Sequence, residues 1–172
     1  AQRRMNGLIH LFAWQGLLLS VNTAIVGYVA ARHHLYISSV LTLGLKVVLL
    51  PYILHVLIRR LRIHKEIEVV VNVPTTMLIG IALVVFSYHL TAPIVQLSSL
   101  VTRSTLAVAL ATVLLGLLMM ITRRHAVTQI IGFLALENGL FFAATSATYG
   151  MPLVVELGVA LDVLIAAFIF GI

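Results

Sequence analysis

Six long apolar stretches, separated by short connections that hold most of the basic residues, decide what this chain can become. A helix needs about 20 apolar residues to cross the hydrocarbon core of a bilayer. The stretches cover residues 8–31, 35–58, 73–90, 101–121, 126–147 and 153–172. Pro74 suits the first turn of the third helix, and Pro152 precedes the sixth after the turn Tyr149-Gly150-Met151. The longest connection, 59–72, carries Arg59, Arg60, Arg62 and Lys65 beside Glu66 and Glu68. It reads as a helical extension or as an amphipathic piece lying at the interface. The expectation is an all-α polytopic membrane protein with about six transmembrane helices, in two three-helix halves, 1–98 and 99–172.

Composition agrees with that expectation. The chain is 62% hydrophobic and 9% charged, with a mean hydropathy of +1.15, whereas soluble domains average about 25% charged and about 45–50% apolar residues. A net charge of +6 and a pI of about 10.3 would suit nucleic-acid binding. The basic residues do not cluster on a folded domain, however. They fill the gaps between apolar runs, where lipid headgroups and topology account for them, so no nucleic-acid partner is expected. One side of the membrane receives Arg3, Arg4, Arg59, Arg60, Arg62, Lys65, Arg123 and Arg124, and the other receives only Arg32 and Arg103. Eight against two is a strong positive-inside bias and predicts that both ends of the chain are cytoplasmic. Cysteine is absent, which excludes thiolate clusters, iron–sulfur ligation and disulfides within these 172 residues. The chain starts at Ala1 and stops inside an apolar run, as part of a longer protein would, and its start does not resemble a cleavable signal peptide.

Three ionisable residues fall inside the spans. Glu137 lies eleven residues from the start of the fifth, about 16 Å of helix rise. Lys46 and Asp162 lie at similar depth in the second and sixth. A charged side chain at the centre of a membrane helix costs about 2.5–3.5 kcal/mol on insertion scales, so such residues usually mark ion or proton paths. Desolvation disfavours the charged form of acids and bases alike, and groups in that condition exchange protons near neutral pH. Glu156 lies nearer the non-cytoplasmic end of the sixth span, where it could form the mouth of a path to Asp162. The alternative is an ion pair, Lys46 with Glu137 or with Asp162, that only helps the helices assemble.

Other polar residues carry weaker signals. His33, His34 and His125 fall in connections, His10, His55 and His64 near cytoplasmic helix ends, and His89 at the non-cytoplasmic end of the third span. His89 is a minor candidate for proton handling. No histidine pair has metal-ligand spacing with a third partner, so no metal site is expected. Asn22 and Asn138 read as interhelical hydrogen-bond partners. Gly139, Ala143 and Ala147 recur at four-residue spacing, a small-residue stripe that permits close helix approach. Glu137 and Gly139 are about 200° apart around the helix, so acid and stripe face different neighbours. The chain has no nucleotide-binding loop, haem-spaced histidine pair or zinc motif. A pump built on it would draw its energy from other subunits.

The string Leu136-Glu137-Asn138-Gly139-Leu140-Phe141, then Gly150-Met151-Pro152-Leu153-Val154-Val155-Glu156-Leu157-Gly158 and Leu161-Asp162, resembles the component E subunits of hydrogenase-4. Those subunits belong to membrane-bound group 4 nickel–iron hydrogenases and formate hydrogenlyases. Their C-terminal part is similar to the three-helix K subunit of respiratory complex I and the C subunit of Mrp antiporters. The resemblance is most specific over about residues 126–172. It implies that Glu137 and Asp162 take the places of two acids in a central hydrophilic axis, Asp162 with a side chain one methylene shorter. It also implies a cytoplasmic loop at Arg123, Arg124 and His125, in agreement with the charge count. Lys46 has no counterpart in a K subunit. The resulting expectation is an accessory subunit, not an enzyme on its own, in a prokaryotic cytoplasmic membrane. Its partners would be antiporter-like and anchor membrane subunits, with nickel–iron and iron–sulfur centres held by other chains and no cofactor in this one. A scaffold without transport and a subunit of a redox-independent cation/proton antiporter are the alternatives.

Overall fold

A computed structural model describes residues 2–29, 37, 39–41, 43–60, 71–93, 100–148 and 158. The described chain is helical and forms no β-strand. Inside lipid, backbone N–H and C=O groups have no water to bond, and a helix satisfies them within its own segment. Five segments are long and apolar enough to cross a membrane: Asn6–Ile25, Ser39–Val56, Val73–Thr91, Thr105–Thr122 and Ala126–Thr145. They match the first five stretches read from the sequence. The expected sixth span, 153–172, lies outside the described residues apart from Gly158, as does most of the basic connection after residue 60.

The chain packs as two compact units, one comprising Ala1–Lys65 and Thr148–Ile172 and the other Glu66–Ala147. In the first, helix α1 (Gln2–Val29) packs against a second span built in two parts. A π-helix, Leu43–Leu49, runs directly into helix α2 (Leu50–Arg60). The contact face of α1 carries Ile9, Phe12, Gly16, Leu19, Ser20 and Thr23, all buried, at the three- and four-residue spacing of one helical face. From the second span, Leu50, Ile53 and Leu54 are each at most 2% exposed.

Hydropathy gave no hint of the π-helix, but two residues account for it. Pro51 has no N–H to offer, and its ring crowds the carbonyl four residues back, at Val47. In membrane helices such a freed carbonyl is accommodated by local π winding. Gly44 adds backbone freedom within the same segment. Winding at one extra residue per turn changes which side chains face inward. Straight α-helical spacing would group Leu43 with Ser39, Lys46 and Leu50. Instead Leu43 is 43% exposed, while the other three are buried.

The second unit contains helices α3 (Val73–Thr91), α4 (Leu100–Thr122) and α5 (Ala126–Thr148). Pro74 occupies the first turn of α3, as its fixed φ and missing N–H favour. Only Gly80, Ser87 and Thr91 of α3 are buried, a narrow stripe on an otherwise apolar and exposed helix. Gly80 faces Leu115 and Leu118 of α4 at ordinary contact distance. The Ser87 and Thr91 hydroxyls donate to the carbonyls of Leu83 and Ser87, both at 2.8 Å, so burying them leaves no donor unmet. Between α4 and α5 the connection is only Arg123–His125. The His125 carbonyl accepts from the Gln129 N–H at 3.0 Å and the Thr128 hydroxyl at 2.7 Å, and the Gln129 side-chain amide donates to the Arg123 carbonyl at 3.0 Å.

Candidate functional site

In the first unit the candidate is Lys46, the central residue of the π-helix and only 2% exposed. Its burial depends on Gly16. A methyl group built on Gly16 would lie 3.0 Å from Lys46 Cβ and 3.5 Å from its carbonyl carbon and oxygen. The absence of a side chain therefore lets α1 touch the π-helix backbone at the level of Lys46, which fixes how deep the lysine sits. One turn further along α1, Ser20 and Ser39 form a reciprocal clasp. The Ser20 hydroxyl donates to the Ser39 carbonyl at 2.8 Å, the Ser39 hydroxyl donates to the Ser20 carbonyl at 2.9 Å, and the two oxygens are 3.1 Å apart. Asn22 stands near this clasp along the helix. Its Nδ2 is buried with no hydrogen-bond partner among the described residues, so the interhelical bond expected of it is not made there.

In the second unit the candidate is Glu137, the central residue of the 23-residue helix α5 and 7% exposed. Asn138 beside it is 2% exposed. Helix α5 is held against α4 by three glycines in backbone contact. A methyl group on Gly116 would sit 2.8 Å from the Gly132 carbonyl oxygen and 2.8 Å from the Leu136 nitrogen. On Gly132 it would meet the Gly116 oxygen at 3.0 Å, and on Gly139 the Val113 nitrogen at 2.9 Å and the Ala109 oxygen at 3.0 Å. Such approach is the packing that small residues allow in membranes, where apolar side chains gain little by leaving lipid. Gly139 thus lies on a close-packed face. Ala143 is half-buried, and the side chain of Ala147 lies outside the described residues. The face extends in the other direction through Leu136 to Gly132, and its counterpart on α4 is Gly116. Neither Gly132 nor Gly116 was singled out from the sequence. The signal available was the spacing of Gly132, Leu136, Gly139 and Ala143, which is one helical face. Glu137, about 200° round from Gly139, points away from the α4 contact and is buried there.

His89 lies exposed in the last turn of α3. His10 and His55, read separately in the sequence, come together edge to face, with ring centroids 6.4 Å apart and planes at 79°. Each is oriented by its own helix. His10 Nδ1 donates to the Asn6 carbonyl at 2.7 Å and His55 Nδ1 to the Pro51 carbonyl at 3.3 Å. Asp162, Glu156, His33, His34 and His64 lie outside the described residues. Among the described residues no three histidine or acidic side chains group as metal ligands would.

These observations define a polytopic, all-helical membrane protein that buries a lysine and a glutamate inside apolar spans, each next to a glycine-mediated helix contact. Across 172 aligned residues the chain is 34% identical to Rv0085 of Mycobacterium tuberculosis, itself described as uncharacterized, covering 99% of this chain and 78% of that protein. The chain belongs to the family of that mycobacterial protein. It is also distantly homologous to proteins named hydrogenase-4 component E from Escherichia coli and Shigella flexneri, each 27% identical over 158 residues that cover 92% of this chain and 73% of theirs. No protein-family model matches it, and no solved structure matches it significantly.

Proposed function

We propose that this chain is an integral membrane subunit of a complex-I-like, membrane-bound hydrogenase of the formate hydrogenlyase type. In this reading it is an accessory subunit that contributes protonatable side chains to a proton or Na⁺ path, while nickel–iron and iron–sulfur subunits carry out the redox chemistry. Distant homology to hydrogenase-4 component E supports the assembly. The observation that carries the transport role is Glu137, a carboxylic side chain 7% exposed at the centre of an apolar span. Holding an acid there costs a few kcal/mol of insertion free energy, which is hard to account for in a helix kept only for packing. Glu137 and Asp162 are the principal members of the path, as in K-subunit-like proteins, with Lys46 as a relay member or modulator and Glu156 as an access point. The protein lies in the prokaryotic inner membrane with both ends of the chain cytoplasmic, beside antiporter-like and anchor subunits.

The test is the assembled complex with Glu137→Gln, measured for electron flux and proton uptake together. Uncoupling, with electron flux retained or slowed and proton uptake lost, is the expected result. Normal coupling in a normally assembled complex refutes the role. A scaffold reading has its own support in the glycine contacts of α4 and α5. It requires Glu137→Gln and Asp162→Asn to leave coupling intact, while a bulky residue at Gly139 or Ala143 prevents assembly.

A further inference from the structure

Lys46 divides the first unit into two chemically different halves. Its level on α1 is set by Gly16, whose missing side chain faces Lys46 Cβ. Among the described residues, the side chains fully buried within about 10 Å along the axis toward the N-terminal end of α1 are apolar. Phe12 and Ile9 are 3% and 1% exposed, and on the facing helix Leu50, Ile53 and Leu54 close the same space. In the other direction the buried side chains include Ser20, Thr23 and Ser39, with the amide nitrogen of Asn22 beside them. These hydroxyls donate to backbone carbonyls, yet each oxygen keeps a lone pair, and the Asn22 Nδ2 donor has no partner among the described residues. Among the described residues, buried hydrogen-bonding groups line one half, whereas in the other the fully buried side chains offer none and the polar ones, Gln15 and His55, are only half-buried. The change occurs within the length of the π-helix, at Lys46.

From this asymmetry we infer that Lys46 is reached by water and protons from one side only, past Ser20, Ser39 and Asn22, and is sealed from the N-terminal end of α1 by the Phe12–Ile53 layer. The inference rests on Lys46 as a member of the proposed path and adds to it the direction of access. By the charge count the open half faces away from the cytoplasm. A proton arriving at Lys46 from that half must leave by another route than the Phe12–Ile53 layer, whose described side chains carry no protonatable group. The π winding gives this arrangement a local basis: it turns Leu43 and Gly44 out to the exposed face and keeps Lys46 in at the boundary.

Single-cysteine variants of the whole complex test the access directly, since these 172 residues contain no cysteine of their own. Ser20→Cys, Ser39→Cys, Phe12→Cys, Ile53→Cys and Lys46→Cys are each treated with a charged, membrane-impermeant methanethiosulfonate in sealed vesicles of both orientations. Only a hydrated thiol ionises readily to the reactive thiolate, so the residue 20 and 39 variants should react at least about tenfold faster from the open side than the residue 12 and 53 variants from either side. Lys46→Cys should react from the same side as residue 20. Reaction at Phe12→Cys or Ile53→Cys from the N-terminal side, reaction of Lys46→Cys from that side, or no reaction at residues 20 and 39, overturns one-sided access. Proton uptake by Lys46→Met in the same complex separates the two claims. Unchanged coupling together with the expected labelling pattern supports the access geometry and overturns Lys46 as a relay member.

Discussion

Gly116 is where the fold can be probed most sharply. Replacing it with alanine places a methyl carbon 2.8 Å from the Gly132 carbonyl oxygen, 2.8 Å from the Leu136 nitrogen and 2.9 Å from the Leu136 Cβ. Ordinary van der Waals contact begins near 3.4 Å, so the helices must separate by about 0.6 Å. A gap of that size forfeits roughly a quarter to a half of each dispersion contact along the seam. Both closest neighbours are backbone atoms, which cannot turn aside as a long side chain can. The cost should therefore reach the upper part of the range for overpacking, about 2–3 kcal/mol, or a fall in Tm of roughly 4–12 °C for a chain of this size. Gly80→Ala is the matched control: the same substitution in a neighbouring helix of the same unit, where the nearest atom is a leucine methyl at 3.4 Å. Thermal unfolding in detergent or nanodiscs, followed by tryptophan fluorescence or by a maleimide probe placed at the seam, measures both. If Gly116→Ala is no less stable than Gly80→Ala, backbone contact does not hold α4 to α5 and the packing argument fails.

Other perturbations have equally definite outcomes. Gly16→Ala brings a methyl to 3.0 Å from Lys46 Cβ and should cost about 1–2 kcal/mol, whereas Gly44→Ala, with nothing within 4 Å, meets no steric clash and should cost less, only what the π winding loses in backbone freedom; the same unfolding assay ranks them. Ser20→Ala and Ser39→Ala each remove one side of a reciprocal clasp. Each should cost about 0.6 kcal/mol, the mean for such bonds in a membrane protein, and the double variant about the sum, since each hydroxyl bonds a different backbone carbonyl. Lys46→Met conserves most of the side-chain volume and should leave assembly intact while lowering proton uptake per electron, measured in vesicles holding the whole complex.

Much of the architecture could be read from residue order. Five spans fall where hydropathy places them, because a run of about 20 apolar residues has only one solution in lipid. Pro74 marked a helix start for the same local reason it does anywhere. The π-helix escaped notice because one extra residue per turn leaves an apolar run just as apolar. Only Pro51 and Gly44, read against the inward positions 39, 46 and 50, carry that signal. The stripe at Gly139 was visible as spacing within one helix, but its partner Gly116 depends on how two helices cross, and one helix's sequence does not state that. The pairing of His10 with His55 and of Ser20 with Ser39 is non-local in the same way. Lys46 and Glu137 stood out because a charge in an apolar span is rare for energetic reasons. Nothing in composition said that each would sit beside a glycine contact.

That coincidence has a physical sense. A charged side chain near the middle of a membrane helix is pulled toward either interface, and the easiest relief is for the helix to slide along its axis or tilt until the charge meets water or headgroups. Leucine-on-leucine packing resists sliding weakly, because flexible side chains repack as the helix moves. Backbone contact at a glycine resists it strongly. A shift of even 1 Å drives the neighbouring carbonyl or nitrogen out of its notch and onto a side chain. Gly16 faces the Lys46 backbone itself, and Gly139 lies two residues, about 3 Å of rise, from Glu137. The depth of each side chain is thus constrained by a backbone contact at a glycine in its own unit. A relay needs that constraint, because proton transfer requires donor and acceptor within hydrogen-bond reach. The same glycines that would serve a scaffold are what a buried protonatable group in either unit would need to stay in position.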